Sequence, residues 1–147
     1  MVKILHFIFR SDVLMYLILV DTSELDILPT RVEFFRDVNL EVYSVHCGRS
    51  HTLFLTNNGL YAMGLNTLGQ LGIDRNLNQA LQPMLVKALD NKIITQICVG
   101  QHHNAVVADG VLYTWGWNIY GQLGHCDITT VREPKVVEFF RNKVRFY

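Results

Sequence analysis

The chain is poor in the residues and patterns that usually anchor chemistry. Three cysteines stand among its 147 residues, Cys47, Cys98 and Cys126, an odd number without CxxC spacing. That fits buried thiols in a reducing compartment better than a disulfide framework. Only 18% of the residues are charged, and Lys plus Arg equals Asp plus Glu at 13 each. No net field therefore recruits nucleic acid or an anionic membrane. Long apolar runs are missing too: residues 4–9 and 13–20 are broken by Arg10, Ser11 and Asp12, and neither approaches the roughly 18 residues that span a bilayer. With no clear cleavage site after them, these runs read as two buried strands around a turn at 10–12 rather than as a signal peptide. Sustained helical periodicity is absent from the rest of the chain.

What is present is apolar and repetitive. Hydrophobic residues make up 50% of the chain and mean hydropathy is +0.18, in a length that buries about 70% of its unfolded surface when it folds as one domain. Residues 47–72 and 99–124 are copies of each other. Gly48, His51, Gly64, Asn66, Gly69, Gln70, Leu71 and Gly72 recur 52 positions later as Gly100, His103, Gly116, Asn118, Gly121, Gln122, Leu123 and Gly124. A period of that size denotes stacked structural units. Residues shared by every unit belong more naturally to a scaffold than to a catalytic site.

Each copy predicts four short strands divided by glycine turns: 42–47, 52–56, 60–64 and 84–88 in the first, and 93–99, 105–108, 111–115 and 135–139 in the second. Asn57-Asn58-Gly59 and Ala108-Asp109-Gly110 supply residues that tolerate positive φ, as tight hairpins require. A weaker third element runs Val32-Glu33-Phe34-Phe35-Arg36, then Val86-Lys87-Ala88-Leu89, then Val137-Glu138-Phe139-Phe140-Arg141. Pro29, Pro83 and Pro134 precede these segments and suit the start of an edge strand. On this register residues 1–28 are a degenerate partial repeat or N-terminal strands. Residues 29–147 hold the repeats, with units at about 29–82 and 83–133 and a further one beginning at 134.

The motif G-x-x-H-[TN], followed by a tyrosine strand, GxNxxGQLG and a proline strand, resembles the regulator of chromosome condensation repeat over about residues 29–141. Kelch units carry a glycine doublet, and WD40 units end in a WD dipeptide; both features are missing here. The resemblance implies an all-β fold: a partial β-propeller of about three blades, each a four-stranded antiparallel sheet, from a seven-bladed ring. At this period 147 residues make less than half of such a ring. The expectation is a piece of a longer protein, an incomplete gene model, or a protomer that completes its ring by association.

Local motifs support no catalytic, cofactor or metal assignment. His46, Cys47, His51, Cys98, His102, His103, His125 and Cys126 do not keep paired ligand spacing between copies, as a zinc site would. GxNxxG is followed by QLG and no helix, so it reads as turn geometry rather than a phosphate loop, with Leu71 and Leu123 filling gaps between blades. Trp115 and Trp117 alternate along a strand, so at most one of them faces solvent or channel.

The expected function is a non-enzymatic protein-protein interaction module that binds through its inter-strand loops. Its most variable segments are 73–82 and 125–133, and the candidate interaction residues are Asp74, Arg75, Asn76, Asp127, Arg132 and Trp117. The resemblance implies a protein partner: a small GTPase, a chromatin component or a ubiquitin-pathway protein. No small-molecule substrate, direct nucleic-acid contact or membrane span is expected, and the location is intracellular, cytoplasmic or nuclear. The alternative, also from the resemblance, is guanine-nucleotide exchange on a small GTPase, which needs no proton-transfer residue in the propeller.

Overall fold

The computed structural model describes residues 32–73 and 76–141 with their side chains. Ahead of them it describes the backbone of five short strands, β1 (Val2–Ile4), β2 (Arg10–Ser11), β3 (Leu14–Leu17), β4 (Leu19–Asp21) and β5 (Thr30–Arg31). β1 pairs with β4, and β3 pairs with both β2 and β5, all antiparallel. The expected strand at 4–9 falls mostly outside the described residues. Arg10 and Ser11, expected in a turn, are strand residues opposite Met15 and Leu14. Antiparallel pairing uses backbone groups, so a polar pair joins a ladder as readily as an apolar one.

Eight strands follow in two sheets of one plan. The first sheet contains β6 (Val42–Cys47), β7 (His51–Thr56), β8 (Gly59–Leu65) and β9 (Gln79–Leu85). The second contains β10 (Ile94–Val99), β11 (His103–Ala108), β12 (Val111–Gly116) and β13 (Val131–Val136). Within each sheet the strands lie in chain order and every pair is antiparallel. These are two four-stranded blades of a partial propeller.

The outer strand of each blade departs from expectation. It begins before its proline, at Gln79 and Val131 instead of 84 and 135. Register shifts opposite Ala62/Gly64 and Thr114/Gly116 mark bulges that take in Pro83 and Pro134. A missing N–H is tolerated there because the outermost strand is bonded on one side only and the bulge interrupts the ladder. The Val-x-x-[Phe/Leu] segments are not strands but helical turns: Phe34–Asp37, Lys87–Leu89 and Glu138–Phe140. A spacing of three puts Val86 and Leu89 on one side of such a turn, and both are fully buried.

The two hairpins reach the same reversal differently. Asp109 and Gly110 take φ of +51° and +73° between the paired Ala108 and Val111, as a type I′ turn requires. Asn57 and Asn58 do not adopt positive φ; Gly59 carries it instead, at +106°. The Thr56 hydroxyl donates to the Gly59 carbonyl at 2.9 Å and accepts the Asn58 N–H at 3.1 Å, so the turn closes without a left-handed asparagine.

Strand alternation sorts the first blade's side chains onto two faces. Leu53, Leu60 and Ala62 join Leu71, Ile73, Val86, Leu89, Val106, Ala108 and Trp115 in the core between the blades. Phe54, Tyr61 and Met63 point the other way and pack with Phe35, beside Val32, Phe34 and Leu40. The Phe35 ring lies 5.0 Å from that of Phe54 and edge-on to that of Tyr61 at 6.0 Å. The first two helical turns thus supply plugs, Phe35 and Leu89, whereas the third, Glu138–Phe140, buries none of its residues.

The blades also touch through their backbones. A β-carbon on Gly69, whose φ is +70°, would lie 2.5 Å from Arg132 Cα of the second blade. Gly110 has nearly the same φ, +73°, with open space around it. Gly110→Ala is expected to cost about 1 kcal/mol, the strain of a left-handed alanine. Gly69→Ala adds a backbone clash and is expected to cost at least about 3 kcal/mol. Urea unfolding of both variants checks the order; equal losses would show that the blades do not approach this closely.

Candidate functional site

The repeated GxNxxGQLG segment forms a turn held from inside by its asparagine and glutamine. Asn66 Oδ1 accepts the Leu71 N–H at 3.0 Å, and its Nδ2 donates to the Leu77 carbonyl at 2.8 Å. Gln70 Oε1 accepts the Leu68 N–H at 2.9 Å. In the second copy Asn118 Oδ1 accepts Leu123 N–H at 2.9 Å, and its Nδ2 donates to the carbonyls of Asp127 at 3.0 Å and Thr129 at 3.1 Å. Gln122 Oε1 accepts the Tyr120 N–H, also at 2.9 Å. Leu71 and Leu123 are driven into the interior by this geometry, at 0% and 1% exposure.

A buried polar chain links one blade to the next. Asn104 Nδ2 donates to the Gln70 carbonyl at 2.7 Å, which leaves its Oδ1 facing His51 Nε2 at 2.8 Å. An amide whose nitrogen must donate presents oxygen on its other side, so His51 carries its proton on Nε2. Trp115 Nε1 donates to the same Gln70 carbonyl at 3.2 Å. At the rim Arg132 donates to the carbonyls of Asn66 at 3.3 Å and Thr67 at 2.8 Å. His103 lies over Gly100 as His51 lies over Gly48, each imidazole filling the space of an absent β-carbon.

The predicted interaction residues do not form one site. Asp74 and Arg75 are outside the described residues, and Asn76 is exposed beside them. The Asp127 carboxylate caps the Thr129 N–H at 2.8 Å and receives Asn118 Nδ2 at 3.3 Å. Arg132 is engaged across the blade joint because its guanidinium reaches two carbonyls of the first blade. Trp117 is half-buried, edge-on to His102 at 5.9 Å and to Tyr120 at 5.4 Å. Trp115 is fully buried.

Sequence reasoning passed over several residues that matter here. His102 and Tyr120 complete the cluster around Trp117, and Asn104 makes the blade joint. Asn57 and Asp109, expected only as turn residues, stand 52 residues apart and share a second task. Asn57 Oδ1 accepts the Glu41 N–H at 3.1 Å, and Asp109 Oδ1 accepts the Ile93 N–H at 2.9 Å, each closing the base of a hairpin. That backbone bond, seconded by Lys92, holds the Asp109 carboxyl below its usual range.

Burial lowers the pKa of His46, His102, His103 and His125 and raises that of the Cys47 thiol. Unfolded histidines titrate near 6.5, so on acidification the unfolded chain takes up protons before the folded one. The histidine contribution is therefore full above that value and is lost as pH falls from it toward the lower folded pKa values, while the raised Cys47 thiol makes a contribution that is lost as pH rises above the ordinary thiol value of about 8.5. The melting temperature is expected to be flat between about pH 7.5 and 8, to drop between about pH 6.5 and 5, and to fall again above about pH 8.5; a flat profile on the acid side would contradict the burial. Asn104→Ala strands His51 Nε2–H and weakens the Gln70 carbonyl's bonding, an expected loss of about 2–4 kcal/mol. Asn58→Ala on the exposed hairpin tip should stay within about 0.5 kcal/mol of the parent. Chemical denaturation of the two variants separates a blade-joining residue from a surface one.

Among the described residues no helix is long and apolar enough to cross a membrane. The family model for the regulator of chromosome condensation (RCC1) repeat matches residues 57–107 and 109–146, and a second model of that repeat matches 42–70. The human X-linked retinitis pigmentosa GTPase regulator is 36% identical over 85 residues, 57% of this chain and 8% of that protein. Human E3 ubiquitin-protein ligase HERC2 is 35% identical over 113 residues, 76% of this chain and 2% of that protein. Among solved structures, yeast RCC1 (Prp20) bound to Kap60 superposes with a TM-score of 0.57 at 26% identity, over 65% of this chain and 25% of that one. The chain thus spans a small part of the length of each relative. With the repeat models covering most of its length and the blades built as the repeat demands, the chain belongs to the regulator of chromosome condensation (RCC1) repeat family.

Proposed function

We propose that this chain is the protein-binding part of a propeller, a non-enzymatic module that holds its partner on the loops at one end of the blades. The observation that carries the reading is the division between the repeated residues and the rest. Of the polar members of the motif, His51, Asn66, Gln70 and Asn118 are buried and His103 and Gln122 half-buried, and Asn104 is buried with them. They are occupied with bonds inside the scaffold. Exposed apolar side chains stand instead in and after the second copy's turn: Ile119 at 51%, Tyr120 at 81% and Ile128 at 68%. A rigid frame with adaptable loops is the usual plan of a repeat scaffold that binds proteins. Cys98 and Cys126 are exposed and Cys47 half-buried, not the buried thiols expected from the sequence; unpaired, they support a reducing compartment, cytoplasmic or nuclear.

Partner classes come from the relatives' names. Similarity to a GTPase regulator and to a ubiquitin-protein ligase supports a small GTPase or a ubiquitin-pathway protein, and likeness to yeast RCC1 (Prp20), solved bound to Kap60, supports protein binding in general. A second reading, guanine-nucleotide exchange, is favoured by the first of these names alone. Exchange acts by distorting the nucleotide site of the GTPase and asks for no proton-transfer group on the propeller. Tagged chain is expected to retain a defined protein partner in affinity capture and to leave GDP release from a panel of small GTPases unaccelerated. Faster release from one of them would replace the scaffold reading with exchange; capture of nothing would sink the binding reading.

A further inference from the structure

We propose that Arg49, His102, Trp117 and Tyr120 form a docking site for an acidic peptide segment that carries an apolar side chain. The inference rests on the protein-binding reading and names the patch and the chemistry of its partner. Carboxylates of the segment meet Arg49 at the rim, and its apolar side chain lies against the Trp117 and Tyr120 rings.

The first support is a substitution pattern on a constant frame. His102, Trp117 and Tyr120 hold the positions of Ser50, Leu65 and Leu68 in the other copy. The local backbone is the same in both: Trp117 N–H donates to the His102 carbonyl at 2.9 Å, as Leu65 N–H does to Ser50 at 2.7 Å. The Tyr120 and Leu68 N–H groups each donate to a glutamine Oε1 at 2.9 Å. A serine and two leucines therefore satisfy the fold, and the aromatic set is not demanded by it. Two edge-to-face contacts keep the rings in one arrangement, with Tyr120 81% exposed. Rigid, partly exposed Trp and Tyr are favoured anchors at interfaces.

The second support is charge. Arg49 is exposed, and its N–H donates to the Gln101 carbonyl at 3.0 Å, which pins it beside His102. Among the described residues no carboxylate pairs with its guanidinium. After burial, the influences on His102 are Arg49 and His103, with no acidic group among them. Asp127, the nearby loop carboxylate, is held by Thr129 and Asn118. An unpaired guanidinium beside exposed rings suits an anionic, partly apolar segment and repels a cationic one. A nucleic acid is disfavoured, since one arginine does not track a phosphate backbone and the chain's net charge is zero.

The test uses the full chain and a blocked octapeptide of glutamates around a central phenylalanine. Its lysine counterpart and a short oligothymidylate serve as competing probes. Binding is read by calorimetry and by tryptophan fluorescence, which reports Trp117 because Trp115 is sealed in the core. The acidic peptide is expected to bind at least tenfold more tightly than either competitor. Arg49→Glu, and separately Trp117→Leu with Tyr120→Leu, should each weaken it at least tenfold while leaving the melting temperature in place. The leucines reproduce the other copy, so they are compatible with folding. Equal binding by the variants, preference for the lysine peptide or the oligonucleotide, or peptide binding that tracks self-association in sedimentation would overturn the proposal. A captured protein partner retained by both variants would sink this site and leave the protein-binding reading standing.

Discussion

The buried carbonyl of Gln70 is the point on which the blade pair depends. It is the backbone oxygen of a framework glutamine, out of reach of water, and it needs partners to offset the cost of its burial. Both come from the neighbouring sheet, as the side-chain N–H groups of Asn104 and Trp115. Other features follow from meeting that need. Asn104 turns its oxygen to His51 and thereby sets the imidazole tautomer, while Trp115 is drawn fully inside. Leu71, next in the chain, enters the core between the sheets. Apolar burial supplies most of the cohesion, but it is indifferent to a small slide of one sheet over the other. The carbonyl and its two donors are directional and select one register.

The repeat made much of the fold legible before any coordinates. Glycines with a histidine and GQLG at a constant period disclosed the strands and turns of both blades, because a unit that must stack on its own copy repeats its backbone geometry. Three things remained hidden. The start of each outer strand was misplaced, since proline was read as a boundary while a bulge carries it inside the strand. The Val-x-x-[Phe/Leu] turns looked like strands because each follows a proline and opens on a β-branched valine, and four residues are too few to show a helical period. The joint itself was invisible because Asn104 matches Thr52, so its role does not repeat between the copies. Of the candidate site, Trp117 was found by being unusual, whereas His102 and Tyr120 emerge only when each is set against its counterpart in the other blade.

Repetition and function divide the side chains between them. Where two copies share a residue, the structure gives it a task inside the scaffold. Where they differ on an unchanged backbone, the side chain either takes on a joint of its own, as Asn104 and Trp115 do, or stands outside the frame, as His102 does. A propeller can therefore alter its binding surface one blade at a time without disturbing its frame, because each loop side chain stands on a turn already closed by asparagine and glutamine.

The side-chain-to-carbonyl bonds of the joint have a direction along the chain. Side-chain donors from Asn104, Trp115 and Arg132 all reach back to carbonyls of the preceding copy, at Asn66, Thr67 and Gln70. A ribosome therefore releases the acceptors of a blade some tens of residues before the donors that cover them. During synthesis the first blade carries the Gln70 carbonyl unmet until Asn104 and Trp115 emerge and complete it. The first blade is then the template on which the second is registered.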